Sequence, residues 1–375
     1  EYTPASAWAA WQLVEDGLYF EGGPDSIRAR TAEQIQADRE ERESKQAAER
    51  AWAEFLQRLQ QGRMEEDDRG QLVEVEKLAL KQSEQSRILK ALGLQEKMEN
   101  AHRLLTRVGY WQQDYNPYPR RQSLPVVDPV LPLPDGCSAE RLDLTHLPAF
   151  AIDDEGSEDP DDAISVDGDL IWVHIADASA LITPDSELDL EARARAANLY
   201  LPEGTVHMLP QPVTHKLGLG LQEVSPALSI GFVLTPEGEI SDTRVALTNI
   251  RASRHSYADI DQCLSEQPFA KLMEMTERYR QRRLASGARQ LDLPEVSVRV
   301  MDGAVVIRPL ARMGSRDMVT DAMLMAGEAV ARYCLQHTIP IPFATQPPPD
   351  SDLQPEGLAA MYAFRRKFKP SRNKT

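Results

Sequence analysis

Cysteine is scarce in this chain: three in 375 residues, at Cys137, Cys263 and Cys334, far apart and without metal-ligand spacing. So sparse and odd a set excludes a disulfide scaffold and suits a reducing compartment with buried thiols. Long apolar runs are missing too. None approaches the roughly 18 to 20 residues of a membrane span, and no signal peptide appears, although a missing N-terminus would hide one. The expectation is a cytoplasmic protein with no membrane partner. Basic charge is also short, with 42 Lys and Arg against 59 Asp and Glu and a net charge of −17. That excludes nucleic-acid binding through a broadly basic surface, because phosphate contacts supply much of such affinity. No Ser/His/Asp arrangement has supporting context. Leu217-Gly218-Leu-Gly220 lacks the third glycine of a dinucleotide loop and reads as a backbone turn.

The shortage of positive charge is sharpest between Arg141 and Arg193, where no Lys or Arg occurs and fifteen Asp or Glu do. Within it, five Asp and two Glu occupy the ten positions from Asp153 to Asp162. Two unit charges about 4 Å apart repel by roughly 4 kcal/mol at an effective dielectric near 20. A folded loop must protonate such carboxylates, expose them, or bind cations. A solvated acidic turn is the ordinary explanation of a charge run. The apolar flanks 149–152 and 163–166 argue against it, since they read as short buried strands. An EF-hand fails in both frames: its sixth position would be Glu158 or Val166 instead of Gly. Oxygen-only ligands favour Mg²⁺ or Mn²⁺ over zinc.

Periodicity and composition divide the chain into a helical, helix–turn–helix-like domain over 1–115, a proline-rich semi-rigid linker over 116–135, and a second domain over 136–375. One long helix is expected over 34–61, with an apolar stripe at Ala48, Trp52, Phe55 and Leu59. Helices over 78–92 and 94–108 end at Gly93 and Gly109. The pair reads either as a winged-helix nucleic-acid binder or as a packing module. Beyond the linker, strands at 149–152, 163–166, 170–176, 228–234, 243–250, 296–300 and 304–308 mix with helices at 187–198, 269–285 and 317–336. That mixture predicts an α/β (α+β) fold. His174 lies in a strand and reads as a satisfied core histidine, with Asp177 capping the next turn.

The acidic loop resembles the signature of the ribonuclease II family of RNB-domain 3′→5′ exoribonucleases: Ile152-Asp153, a spacer, then Asp159-Pro160-Asp161-Asp162-Ala163. The resemblance continues in order through Trp172-Val-His174-Ile-Ala-Asp177, Leu188-Asp-Leu-Glu-Ala-Arg193, Tyr200-Leu-Pro-Glu-Gly204, Met208-Leu-Pro210, Ile250-Arg251 to Tyr257, Asp292-Leu-Pro-Glu295 and Met318 to Ala331. It covers roughly 145–335. It implies a hydrolase that degrades single-stranded RNA to nucleoside 5′-monophosphates. In it Asp153, Asp159, Asp161 and Asp162 hold Mg²⁺ or Mn²⁺, and Asp159 and Asp161 are catalytic. Tyr200 would stack on a base, while Tyr257 and Asp321 (or Thr320) would contact the terminal nucleotides. Three departures stand out. Leu291 replaces an aromatic residue, and Ser225 stands where the family carries Arg. The family's catalytic-arginine segment and C-terminal OB-fold domain have no counterpart before Thr375, so the chain is read as part of a longer protein. The alternative to an enzyme is a catalytically silent RNB-fold scaffold that binds RNA or a partner.

Overall fold

A computed structural model describes residues 3–23, 25–136, 139–291, 293–349 and 355–374. The chain forms two compact units, Glu1–Leu124 and Pro125–Thr375. Cys137 and Asp292 lie outside the described residues; Cys263 is a partly buried and Cys334 a buried free thiol.

The first unit begins with helix α1 (Pro4–Glu15) and a hairpin of β1 (Phe20–Gly23) and β2 (Ser26–Ala29). Then come the long helix α2 (Ala32–Gln60), α3 (Arg69–Ala79), α4 (Arg87–Ala91), α5 (Met98–Arg107) and the short α6 (Tyr118–Arg121). Thr31 starts α2 with a capping box closed by Gln34. The charged first half of α2 is solvated, and its stripe reaches the core only from Trp52 onward, where Phe55 and Leu59 pack with Leu72, Val75, Leu89 and Leu105. The segment expected as one helix over 78–92 is two. Leu80 ends α3, Lys81 turns to φ +60, and Ser86 caps α4 by accepting from the Leu89 amide at 3.3 Å. The glycine stops are as expected: Gly93 and Gly109 adopt φ +69 and +77, which β-carbon-bearing residues resist.

The second unit opens with β3 (Leu142–Asp143), β4 (Ala149–Asp153), β5 (Asp162–Asp167) and β6 (Leu170–Ala176). Helix α7 (Glu187–Arg195), a hairpin of β7 (Leu199–Leu201) and β8 (Gly204–Val206), and helix α8 (Gln211–Leu217) follow. The chain returns through β9 (Ser225–Leu234), β10 (Ile240–Ile250) and β11 (Ala252–Ser256), then helices α9 (Tyr257–Asp261) and α10 (Phe269–Ala285). It closes with a hairpin of β12 (Val296–Met301) and β13 (Ala304–Pro309), helix α11 (Gly314–His337), β14 (Phe343–Thr345), α12 (Leu358–Arg365) and β15 (Arg372–Lys374). Seven strands form one mixed sheet in the order β11-β4-β5-β6-β9-β10-β3, with β11 parallel to β4 and β3 parallel to β10.

Alternation along the strands divides the sheet's side chains between two cores. Ile164, Ile171, Val173, Ile230 and Phe232 pack with Leu272, Met275 and Tyr279 of α10 and Met318, Ala322 and Met325 of α11. A second cluster holds Ala163, Trp172, Ala227 and Ile250. There Trp172 crosses Gly231 so closely that a β-carbon would stand 2.8 Å from its ring. His174 is fully buried, bonded through Nε2 to the Ser165 hydroxyl (2.9 Å) and through Nδ1 to that of Ser229 (2.6 Å), which reaches Thr248 (2.6 Å). Desolvation pushes the imidazole down to about 4, so it is a neutral core group, as its strand position predicts. Among the described residues no helix is long and apolar enough to cross a membrane.

Candidate active site

The two apolar flanks of the acidic run are neighbouring antiparallel strands, β4 and β5. Residues 154–161 are therefore their connection, and the acids sit where the sheet ends. The loop is tied down by its own backbone. Ser157 N–H donates to the Asp154 carbonyl (3.1 Å), Leu219 N–H to the Pro160 carbonyl (2.8 Å) and Ala176 N–H to the Asp161 carbonyl (2.8 Å). Arg254 also donates to the Ser157 carbonyl. The glycine pair 218 and 220 is the backbone turn that carries Leu219 into this contact. A β-carbon on Gly220, at φ +81, would stand 2.8 Å from the Ala252 carbonyl oxygen.

Asp161 and Asp162 are adjacent at the start of β5. Burial, opposed by a backbone hydrogen bond and reinforced by the charges of Asp159 and Asp153, holds the Asp161 carboxyl above the usual range, although its side chain keeps solvent access at the loop's end. Burial, then the charges of Asp161 and Asp153, pushes Asp162 up to about 7. Among the described residues no Lys, Arg or His forms a salt bridge with either. Asp159 is held differently. Its Oδ2 accepts from the Asn198 amide (2.7 Å) and from the Tyr200 hydroxyl (2.9 Å).

The expected RNA contacts divide into two neighbourhoods. Tyr200, in β7, is 68% exposed, its ring open to solvent while its hydroxyl reaches the loop. Tyr257 follows directly on Ser256, whose parallel register with Asp153 delivers it beside the acids. Its hydroxyl is pushed up to about 12 by burial and by Asp153, against the nearby Arg316. The Arg316 guanidinium lies 4.2 Å over the Tyr257 ring and pairs with Asp154. Asp321 stands elsewhere, on α11 facing α10. It is 5% exposed and bonded to Arg280 at 2.6 Å, and burial raises its carboxyl despite that partner. With Thr320 and Leu291 it lines a cavity of about 260 Å³ that also holds Arg283 and Arg289 and none of the loop acids. Asp177 caps the turn after β6, accepting from the Ser179 amide (3.0 Å) and pairing with Arg141 (2.5 Å).

Sequence reasoning missed Asn198, Arg254, Arg280 and Arg316. Only Asn198 had a local signal, its spacing of two from Tyr200, which in extended chain places both on one side. The other three meet their partners across long stretches of sequence.

As a cation site the loop fits in its donors. They are carboxylates, two of them crowded, elevated and without a basic partner, which an oxygen-preferring divalent cation would stabilise in ionised form. Among the described residues no three His, Cys, Asp or Glu side chains already stand in one coordination shell.

Comparison with known proteins agrees with this architecture. Residues 141–372 match the RNB domain and residues 35–117 a double HTH domain. The chain belongs to the RNB-domain family, with a mainly helical N-terminal region preceding a mixed α/β domain. It is 32% identical over 385 residues to an uncharacterized ribonuclease of Synechocystis sp., covering 93% of this chain and 58% of that protein. It is 30% identical over 305 residues to the chloroplastic/mitochondrial ribonuclease II of Arabidopsis thaliana, covering 72% of this chain and 38% of that one. The chain thus spans less than two thirds of the length of these relatives. In fold it resembles the Dss1 exoribonuclease of Candida glabrata, with a TM-score of 0.66 at 16% identity over 81% of this chain and 50% of the other. Apo RNase R of Mycoplasma genitalium gives 0.52 at 24% identity, over 56% of this chain and 36% of the other.

Proposed function

We propose that this chain carries the active site of a divalent-metal-dependent 3′→5′ exoribonuclease, which hydrolyses single-stranded RNA to nucleoside 5′-monophosphates in the cytoplasm. Family membership supports the reaction class, and ribonucleases of this family are generally divalent-metal dependent. The observation that carries the reading is the adjacent pair Asp161 and Asp162, both held above the ordinary carboxylate range and, among the described residues, without a salt-bridge partner.

Asp153, Asp159, Asp161 and Asp162 would hold Mg²⁺ or Mn²⁺, which supplies charge neutralisation on the phosphoryl oxygens and positions the attacking water. Without a cation, Asp162 holds its proton close to neutrality. Its ionisation is therefore coupled to cation binding, as is usual where ligands must be deprotonated. Asp161, at the solvent-facing end of the loop, is the carboxylate best placed to orient the water, and Asp159 is the second catalytic carboxylate. The exposed Tyr200 ring offers a stacking surface, worth about 1–3 kcal/mol per base. Tyr257 contacts the terminal nucleotides, and the 2′-OH is what lets such a contact tell RNA from DNA. Asp321 facing that sugar remains part of the proposal, although its buried partner is Arg280. We assign 1–115 to the helical domain, 116–135 to a linker and 136–375 to the catalytic domain.

A 5′-labelled single-stranded RNA incubated with the protein tests this. Stepwise shortening from the 3′ end, release of 5′-monophosphates and abolition by EDTA are expected. RNA bound but left intact in Mg²⁺ and Mn²⁺ would favour a silent scaffold instead.

A further inference from the structure

We infer that Asn198 is a positioning residue for Asp159, and that the Tyr200 hydroxyl is its second hold, so that the side chain offered to RNA bases also aims a metal-loop carboxylate. The inference rests on the metal-dependent reading above and concerns how that site is prepared for its cation.

The geometry starts from the backbone. Helix α7 ends at Arg195, and Ala196 turns the chain with φ +67, an unfavourable conformation for a residue with a β-carbon. Two residues later Asn198 enters the β7–β8 hairpin. Its amide is not free to flip, because Oδ1 accepts the Met208 backbone N–H at 2.7 Å. That bond leaves Nδ2 as the only group facing Asp159, to which it donates at 2.7 Å. The Tyr200 hydroxyl donates to the same Oδ2 at 2.9 Å, and lies 3.4 Å from Asn198 Nδ2. A carboxylate oxygen can only accept, so the Tyr200 hydroxyl is the donor in this contact.

Two donors thus occupy one oxygen of Asp159, while Oδ1 has no protein donor among the described residues. A carboxylate held this way presents one defined oxygen to a cation without first having to select a rotamer. Groups that orient a metal ligand in this manner commonly contribute about 10–100-fold in metal affinity or activity. Tyr200 then has two separable parts, a ring exposed to solvent and a hydroxyl committed to the loop.

The test is a Mn²⁺ titration of the full chain followed by electron paramagnetic resonance, with RNA-oligonucleotide binding in EDTA measured in parallel. Asn198→Ala and Tyr200→Phe are each expected to weaken Mn²⁺ binding by about tenfold, with the unfolding temperature unchanged. Tyr200→Phe keeps its ring and should retain oligonucleotide binding, whereas Tyr200→Ala should lose both. Wild-type Mn²⁺ affinity in Asn198→Ala and Tyr200→Phe overturns the inference. If Asn198→Ala does not fold, Tyr200→Phe decides alone, since its side chain is largely exposed. A wild-type chain that binds no Mn²⁺ overturns the metal-dependent reading itself, and this inference with it.

Discussion

Replacing Asp162 by Asn should make the cation-free protein more stable at alkaline pH, because the carboxylate is held where its charge is unwelcome. Its pKa is displaced from the ordinary 3.8 to about 7. Above pH 4 the unfolded chain releases this proton while the folded chain keeps it, so stability falls as pH rises, until the folded group also ionises near 7. A displacement of about three pH units at roughly 1.4 kcal/mol each corresponds to ~4 kcal/mol. Partial solvent access at the end of the sheet screens this to about 2 kcal/mol. For a domain of this size that is about 4–8 °C in unfolding temperature. In EDTA, Asp162→Asn should therefore unfold several degrees above wild type at pH 8 and close to it at pH 4. Saturating Mg²⁺ should raise the wild type and leave the variant nearly unmoved. Equal unfolding temperatures at pH 8, or a difference that does not change between pH 4 and pH 8, would refute the idea that crowding and burial raise this carboxyl.

Asp161→Asn should reduce hydrolysis by more than a hundredfold while RNA binding is kept or tightened; a loss below about tenfold, roughly 1.4 kcal/mol of barrier, would show that Asp161 is not central. His174 is held at about 4 against 6.5 when unfolded. Stability is thus lost as pH falls from 6.5 to 4, by up to about 3 kcal/mol, and His174→Gln should flatten that part of a denaturation profile. If the two profiles run parallel, the buried imidazole is not the cause. Asp321→Asn removes the buried anion from Arg280, leaving it the more exposed Glu277 at 3.1 Å, and should cost about 2 kcal/mol. An unchanged unfolding temperature with altered discrimination between RNA and DNA oligonucleotides would instead place Asp321 at a bound sugar.

The acidic loop was legible in the sequence because everything that makes it is local. Residues 149–152 and 163–166 are apolar enough to be buried strands, and the run of acids between them had to be their connection. The glycine stops at Gly93 and Gly109 were legible for the same reason. In the first unit Ser86 caps a separate helix inside a stretch whose apolar spacing reads as continuous. Most partners of the loop were hidden because they come from far along the chain. Parallel pairing of β11 with β4 brings Tyr257 to Asp153, and α11 returns Arg316 to Asp154 from 162 residues away. Asp321 has a partner that motif reading does not reach: the packing of α10 on α11 gives it Arg280. Nothing in the local pattern announces that partner, because helix–helix pairing is decided by the whole core.

The central claim is that the Asp153–Asp162 loop is a divalent-cation site, and isothermal titration calorimetry with Mn²⁺ tests it most directly. The chain is titrated alongside an Asp153→Asn/Asp162→Asn double variant at pH 6.5, below the pKa of about 7 held by Asp162, with unfolding temperatures confirming that both are folded. The account predicts saturable Mn²⁺ binding by the wild type, accompanied by proton release from Asp162, and its loss in the variant. Equal binding by the two proteins, or wild-type binding without proton release, would contradict it.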